Sequence, residues 1–100
     1  MERWVISMTY IKVSWNHSFQ DEPILMFSEL DGDRNEIRKV EVYRENLLGY
    51  ACDDRNKNGT LLSECEIPEL SVINEDIQFE GIEIEKDEFE KIWKKAISEE

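Results

Sequence analysis

The sequence predicts an α+β fold: an antiparallel meander of four to five strands with a C-terminal amphipathic helix packed on one face. Three observations carry this. Apolar residues recur with period two between residues 9 and 43. The runs are joined by short connections rich in turn-forming residues, which suits neighbouring antiparallel strands. Near the C-terminus the period changes to that of a helix.

Residues 1–8 form an N-terminal appendage, and residues 9–100 a single domain. Within the appendage Trp4, Val5 and Ile6 are apolar enough to pair as an edge strand or to dock on the core. Thr9 to Trp15 is the first strand, in which Ile11, Val13 and Trp15 alternate with Tyr10, Lys12 and Ser14. Asn16 to Pro23 is a polar loop. Ile24 to Leu30 is nearly continuous in apolar character, which predicts burial on both faces over part of its length. Asp31-Gly32-Asp33 ends it with turn chemistry. Glu36 to Tyr43 is a third strand, and strict alternation puts Arg38 on the same face as Glu36. A turn at Arg44 to Asn46 leads to a fourth strand, Leu47 to Cys52. Asp53 to Gly59 reads as a polar loop, and Thr60 to Glu64 as a further short strand.

After Pro68 a short helix is expected over Val72 to Ile77, capped by Ser71. The last helix is marked by Phe89, Ile92, Trp93, Ala96 and Ile97, one stripe at i, i+3, i+4, i+7 and i+8. Acidic residues crowd its start, and Lys94 and Lys95 stand near its end, as the helix dipole favours.

Composition narrows the function. The 100 residues carry 24 acidic and 12 basic side chains, a net charge of −12. The excess is spread along the chain rather than held in a tail. Such a surface repels nucleic-acid phosphates and anionic membranes. It suits a basic protein partner, which its field would steer in at a salt-dependent rate. No apolar run approaches membrane-spanning length. Two cysteines without a C-x-x-C pair predict free thiols in a reducing cytoplasm. The two N-x-S/T triplets at Asn16 and Asn58 then carry no glycan.

Candidate chemistry is sparse. His17 is the only histidine, and with Asp21 and Glu22 it has the residue types for a metal site or an acid–base pair, at a spacing that matches no ligand motif. Asp54, Asn56, Asn58 and Gly59 open like a calcium loop, but Cys65 stands where the closing carboxylate should fall. Asp31, Asp33 and Glu36 gather carboxylates without the glycine such a loop needs. Arg34, Arg38 and Lys39 are the main basic cluster, and Arg38 is placed to pair with Glu29 across strands. Cys52 could act as a nucleophile only with His17 beside it in the sheet. No glycine-rich phosphate loop is present, and no cofactor or metal is expected.

Tyr10-Ile11-Lys12-Val13, Trp15-Asn16-His17, Asp21-Glu22-Pro23 and Ser28-Glu29-Leu30-Asp31 form a recognisable pattern. Arg34, Glu36, Arg38-Lys39-Val40-Glu41, Gly49-Tyr50-Ala51, Glu88-Phe89-Glu90 and Ile92-Trp93 extend it. The pattern resembles a bacterial family of short proteins known only as a domain of unknown function, over about residues 9–97. In size, charge and sparse catalytic motifs the chain also resembles immunity proteins, which bind and block a cognate toxin.

Two expectations follow. The first is an acidic binding protein that neutralises a basic partner such as a toxin. Its contact face would draw on Trp15, His17, Asp21, Glu22, Glu29, Asp31, Asp33, Arg34, Glu36, Arg38 and Tyr43, with Trp15 and Tyr43 as anchors. The second is a small enzyme or ligand-binding domain built on Trp15, His17, Asp21, Glu22, Glu29, Arg34, Glu36 and Arg38. Convergence in one cleft would favour the second. Pairing among themselves would favour the first.

Overall fold

A computed structural model describes residues 7–99. The expected edge pairing of Trp4, Val5 and Ile6 lies outside these residues. The elements are β1 (Thr9–Trp15), β2 (Leu25–Leu30), β3 (Glu36–Val42), β4 (Leu48–Cys52), β5 (Arg55–Lys57), α1 (Leu70–Ile73), β6 (Phe79–Ile84) and α2 (Lys86–Ser98), with a 3-10 turn at Arg44–Asn46.

The sheet has six strands in the order β5-β4-β3-β2-β1-β6, one more than the expected upper bound. Strands β1 to β5 form the meander, and β6 returns to pair antiparallel with the outer side of β1. Two differences account for the count. Arg55–Lys57, expected as loop, folds back on Tyr50 to Cys52 as a hairpin strand. Phe79–Ile84 is a full strand that the expected plan lacked. Conversely, Thr60 to Glu64 is not a strand. Its groups are met by side chains instead: the Ser63 amide donates to Glu36 Oε1 at 2.8 Å, and the Leu61 carbonyl accepts from Lys39 Nζ at 3.2 Å.

The short helix is Leu70–Ile73 rather than Val72 to Ile77, and Glu69, not Ser71, precedes it. Asn74 ends it and turns its side chain to the backbone of Gly81.

The two sheet faces are closed differently. On one, α2 lays down its stripe as expected, with Phe89, Trp93 and Ala96 buried. They pack on Tyr10, Phe27, Val40, Leu48, Tyr50 and Ile84. Each fully buried aromatic or aliphatic side chain stabilises the fold by about 1.5–3 kcal/mol. On the other face, Ile11, Val13 and Leu30 meet Phe79 of β6 and Ile67, Leu70 and Ile73 from the segment that crosses the sheet between β5 and β6. Phe27, Ser28, Glu29 and Leu30 are all buried, so β2 is enclosed on both faces as its composition implied.

Register contains one irregularity. Glu29 pairs with Arg38 but Leu30 pairs with Glu36, so Ile37 is an extra residue in β3. The bulge reverses the alternation, and the expected shared face of Glu36 and Arg38 does not form. Arg38 points to α2, whereas Glu36 lies on the opposite face beside Ser28 and Lys39.

Candidate functional site

The candidate residues divide among several separate places. Trp15 and His17 come together, with ring centroids 4.1 Å apart. The imidazole is fully committed. Its Nδ1 accepts from the Phe19 amide at 2.9 Å, and its Nε2 lies 2.8 Å from the Pro23 carbonyl. That arrangement requires the Nε2–H tautomer and leaves no free lone pair to ligate a metal. Arg44, a residue sequence reasoning did not single out, ties the same loop by donating to the carbonyls of His17 and Phe19 at 2.7 and 3.3 Å. Asp21 and Glu22 are exposed further along it.

Glu29 and Arg38 meet as expected, in a bidentate pair at 2.7 and 2.9 Å. The Tyr10 hydroxyl donates to Glu29 at 2.9 Å, and Glu90 of α2 takes the other side of the guanidinium at 2.7 Å. The guanidinium lies 4.9 Å from the Phe89 ring centroid and 5.0 Å from that of Trp93. Burial raises the Glu29 pKa, but bonds from Arg38 and Tyr10 outweigh it and hold the carboxyl below its ordinary value. Burial and the bond to Glu29 push Tyr10 up to about 12. Hydrogen bonding to Glu29, opposed by burial and helped by Glu90, raises Arg38 above its already high value. This node joins sheet to helix. Its members Tyr10, Glu29, Arg38, Phe89, Glu90 and Trp93 all belong to the pattern on which the family resemblance rests.

Asp31 closes its own turn by accepting the amides of Asp33 and Asn35, both at 2.9 Å. The bond from the Asn35 amide is the main cause that holds its pKa below the ordinary value. Asp33 is exposed. Arg34 sits in this turn at a φ of 65° and donates to the carbonyls of Ile67 and Pro68, both at 2.7 Å. It pins the crossing segment to the sheet. Tyr43 donates to Glu41 at 2.8 Å, and burial together with that bond raises it to about 12. Asn56 pairs with Ala51 in the β5 ladder and Asn58 donates to the Leu48 carbonyl, so the D-x-N-x-N run is a hairpin. Cys52 lies at the opposite end of the sheet from His17, because β4 runs antiparallel to β1 with two strands between them. Cys52 and Cys65 are both free.

Two features remain that the candidate residues did not predict. One is a cavity of about 380 Å³ between the sheet and the crossing segment, walled by Ile11, Val13, Met26, Ile73 and Phe79, with Ser28, Glu36, Lys39 and Asp76 as its polar groups. The other is an acidic flank. Residues 64–88 carry ten carboxylates and one lysine, and all ten are exposed. Among the described residues only two of the ten make ion pairs, Glu69 with Arg34 at 3.6 Å and Glu88 with Lys12 at 3.1 Å. Val72, Ile77 and Ile82 are exposed among them, Ile77 at 94%. Charge density within residues 64–88 was visible in the sequence; that Glu80 and Glu83 stand on an edge strand was not, because β6 itself was missed.

No helix among the described residues is long and apolar enough to cross a membrane. No curated protein and no solved structure matches the chain. A family model does match, over residues 9–98, and by it the chain belongs to the family described as Domain of unknown function (DUF6881).

Proposed function

We propose that this domain is an acidic binding protein, acting in the cytoplasm, that docks a basic protein through its β6 flank and neutralises it, as an immunity protein does a toxin. The observation that carries this is the exposed run of ten carboxylates against one lysine across residues 64–88, with Val72, Ile77 and Ile82 bare among them. Carboxylates without internal partners leave their field for an incoming cation, and exposed aliphatic side chains supply the apolar contact that holds a complex once formed. The distribution of the other candidate residues supports the same reading. Glu29, Arg38, Asp31, Arg34 and His17 are occupied by internal bonds that build the fold.

The test is affinity capture from the native host with the tagged chain, at about 50 and 500 mM salt, read by mass spectrometry. A stoichiometric basic protein retained at low salt and lost at high salt is expected. Reversal of Glu75, Glu80 and Glu83 to Lys should abolish its capture while leaving the melting temperature within a few degrees. Capture that ignores both salt and charge reversal would sink the proposal.

A further inference from the structure

The cavity beneath the crossing segment faces the sheet rather than the outer docking flank, and Val72 and Asp76 border both. At about 380 Å³ it falls in the range of small-molecule sites. Its walls are aliphatic and aromatic, contributed from the sheet by Ile11, Val13, Met26 and Phe79 and from the segment by Ile67 and Ile73.

The charges are what select an occupant. Glu36 lines the cavity with its side chain only 1% exposed, and it accepts from Ser28 Oγ at 2.7 Å and from the Ser63 amide at 2.8 Å. Lys39 stands 3.3 Å from Glu36 and 3.9 Å from Glu41. One ammonium between two carboxylates leaves a surplus negative charge. Asp76 adds a second carboxylate, and none of the ion pairs among the described residues involves it. Among the cavity's own lining groups Lys39 is the single cation, and it is already offset. An apolar molecule bearing a carboxylate would therefore meet net repulsion, and one bearing an ammonium would meet net attraction, strengthened by the low-dielectric walls.

We propose that this cavity is a binding site for a small organic cation, an aromatic or aliphatic body carrying one amine. The body occupies the space between Val13, Met26, Ile73 and Phe79. The ammonium is held by the field of Asp76 and of the Glu36–Lys39–Glu41 group. Glu36 acts through charge rather than through a new bond, because its oxygens are already accepting.

Tryptamine, indole-3-propionate and 3-ethylindole present one ring system with positive, negative and no charge. Each is titrated into the full chain by calorimetry and by amide-resonance NMR. Tryptamine is expected to bind and to shift the amides of Val13, Ser28, Lys39, Ile73 and Asp76. The carboxylate should bind at least about tenfold more weakly, and the neutral compound between them. Val72→Trp fills the rim from an exposed position and should abolish binding without lowering the melting temperature. Asp76→Asn should weaken tryptamine severalfold and leave 3-ethylindole unchanged. Equal or tighter binding of the carboxylate would overturn the proposal. So would shifts confined to the outer acidic residues, or an absence of any shift with tryptamine and octylamine at millimolar concentration.

Discussion

The two faces of the one sheet are finished by different means. On the α2 face a 13-residue helix presents a periodic stripe, and Arg38 bridges strand to helix through Glu29 and Glu90 with two rings beneath it. On the other face a four-residue helix and irregular backbone touch the sheet through separate side chains, Ile67, Leu70 and Ile73. A stripe of period 3.6 fills the groove it meets along its whole length. Separate anchors meet the sheet only where they land, and between them stands the 380 Å³ cavity. The closed face therefore carries the stability, and the loosely covered face carries the space in which a ligand can be held.

The largest effect that tests this contrast is loss of the bridge. Arg38→Ala leaves Glu29 buried without its cation and should lower stability by about 3 kcal/mol in urea unfolding. The low end of the buried-pair range is chosen because Glu90 is 30% exposed. A loss below about 1 kcal/mol would mean that the helix holds without the bridge and that the faces differ less than described. Next is Ile73→Ala on the other face. Ile73 is half-buried and already borders empty space, so its truncation should cost only about 1 kcal/mol. A cost equal to that of Arg38→Ala would show the second face to be packed as firmly as the first.

The smallest effect is alkaline. Tyr10 is raised from 10.0 to about 12 by burial first and by its bond to Glu29 second. A group whose pKa rises on folding contributes stability in full below its unfolded value and loses it as pH climbs through the folded one. The melting temperature should therefore fall between pH 10 and 12, and Tyr10→Phe should make that fall shallower. Tyr43, also raised to about 12, supplies the remainder. An alkaline limb of unchanged steepness in the variant would remove Tyr10 from the buried node.

What could be read from sequence follows the same division. Strands β1 to β4 and α2 announce themselves by apolar runs or stripes bounded by turn-forming residues. Phe79–Ile84 was hidden because Glu80 and Glu83 dilute its apolar positions and Gly81 interrupts them. A β-carbon there would stand 2.9 Å from Leu70 Cδ2, so the end of the Leu70 side chain would have to shift to admit one. Arg55–Lys57 holds no apolar residue and is a strand only because β4 offers it a ladder. The Glu29–Arg38 pair was legible from cross-strand spacing. Glu36 was misplaced because a one-residue bulge carries no composition signal, yet it decides which face a side chain serves. The cavity was illegible for a related reason: it depends on where a chain segment without periodicity comes to rest.

Asn74 has a reach beyond its own turn. In the β1–β6 ladder the Asn16 amide donates to the Gln78 carbonyl, so by alternation Gly81 turns its amide and carbonyl away from β1. Asn74 meets both, accepting from the Gly81 amide at 2.6 Å and donating to its carbonyl at 3.0 Å. One carboxamide thus imitates the rung that a seventh strand would supply. A sheet margin left bare invites the margin of another copy. This one is already answered in its middle by a side chain, which works against strand-to-strand addition at that point.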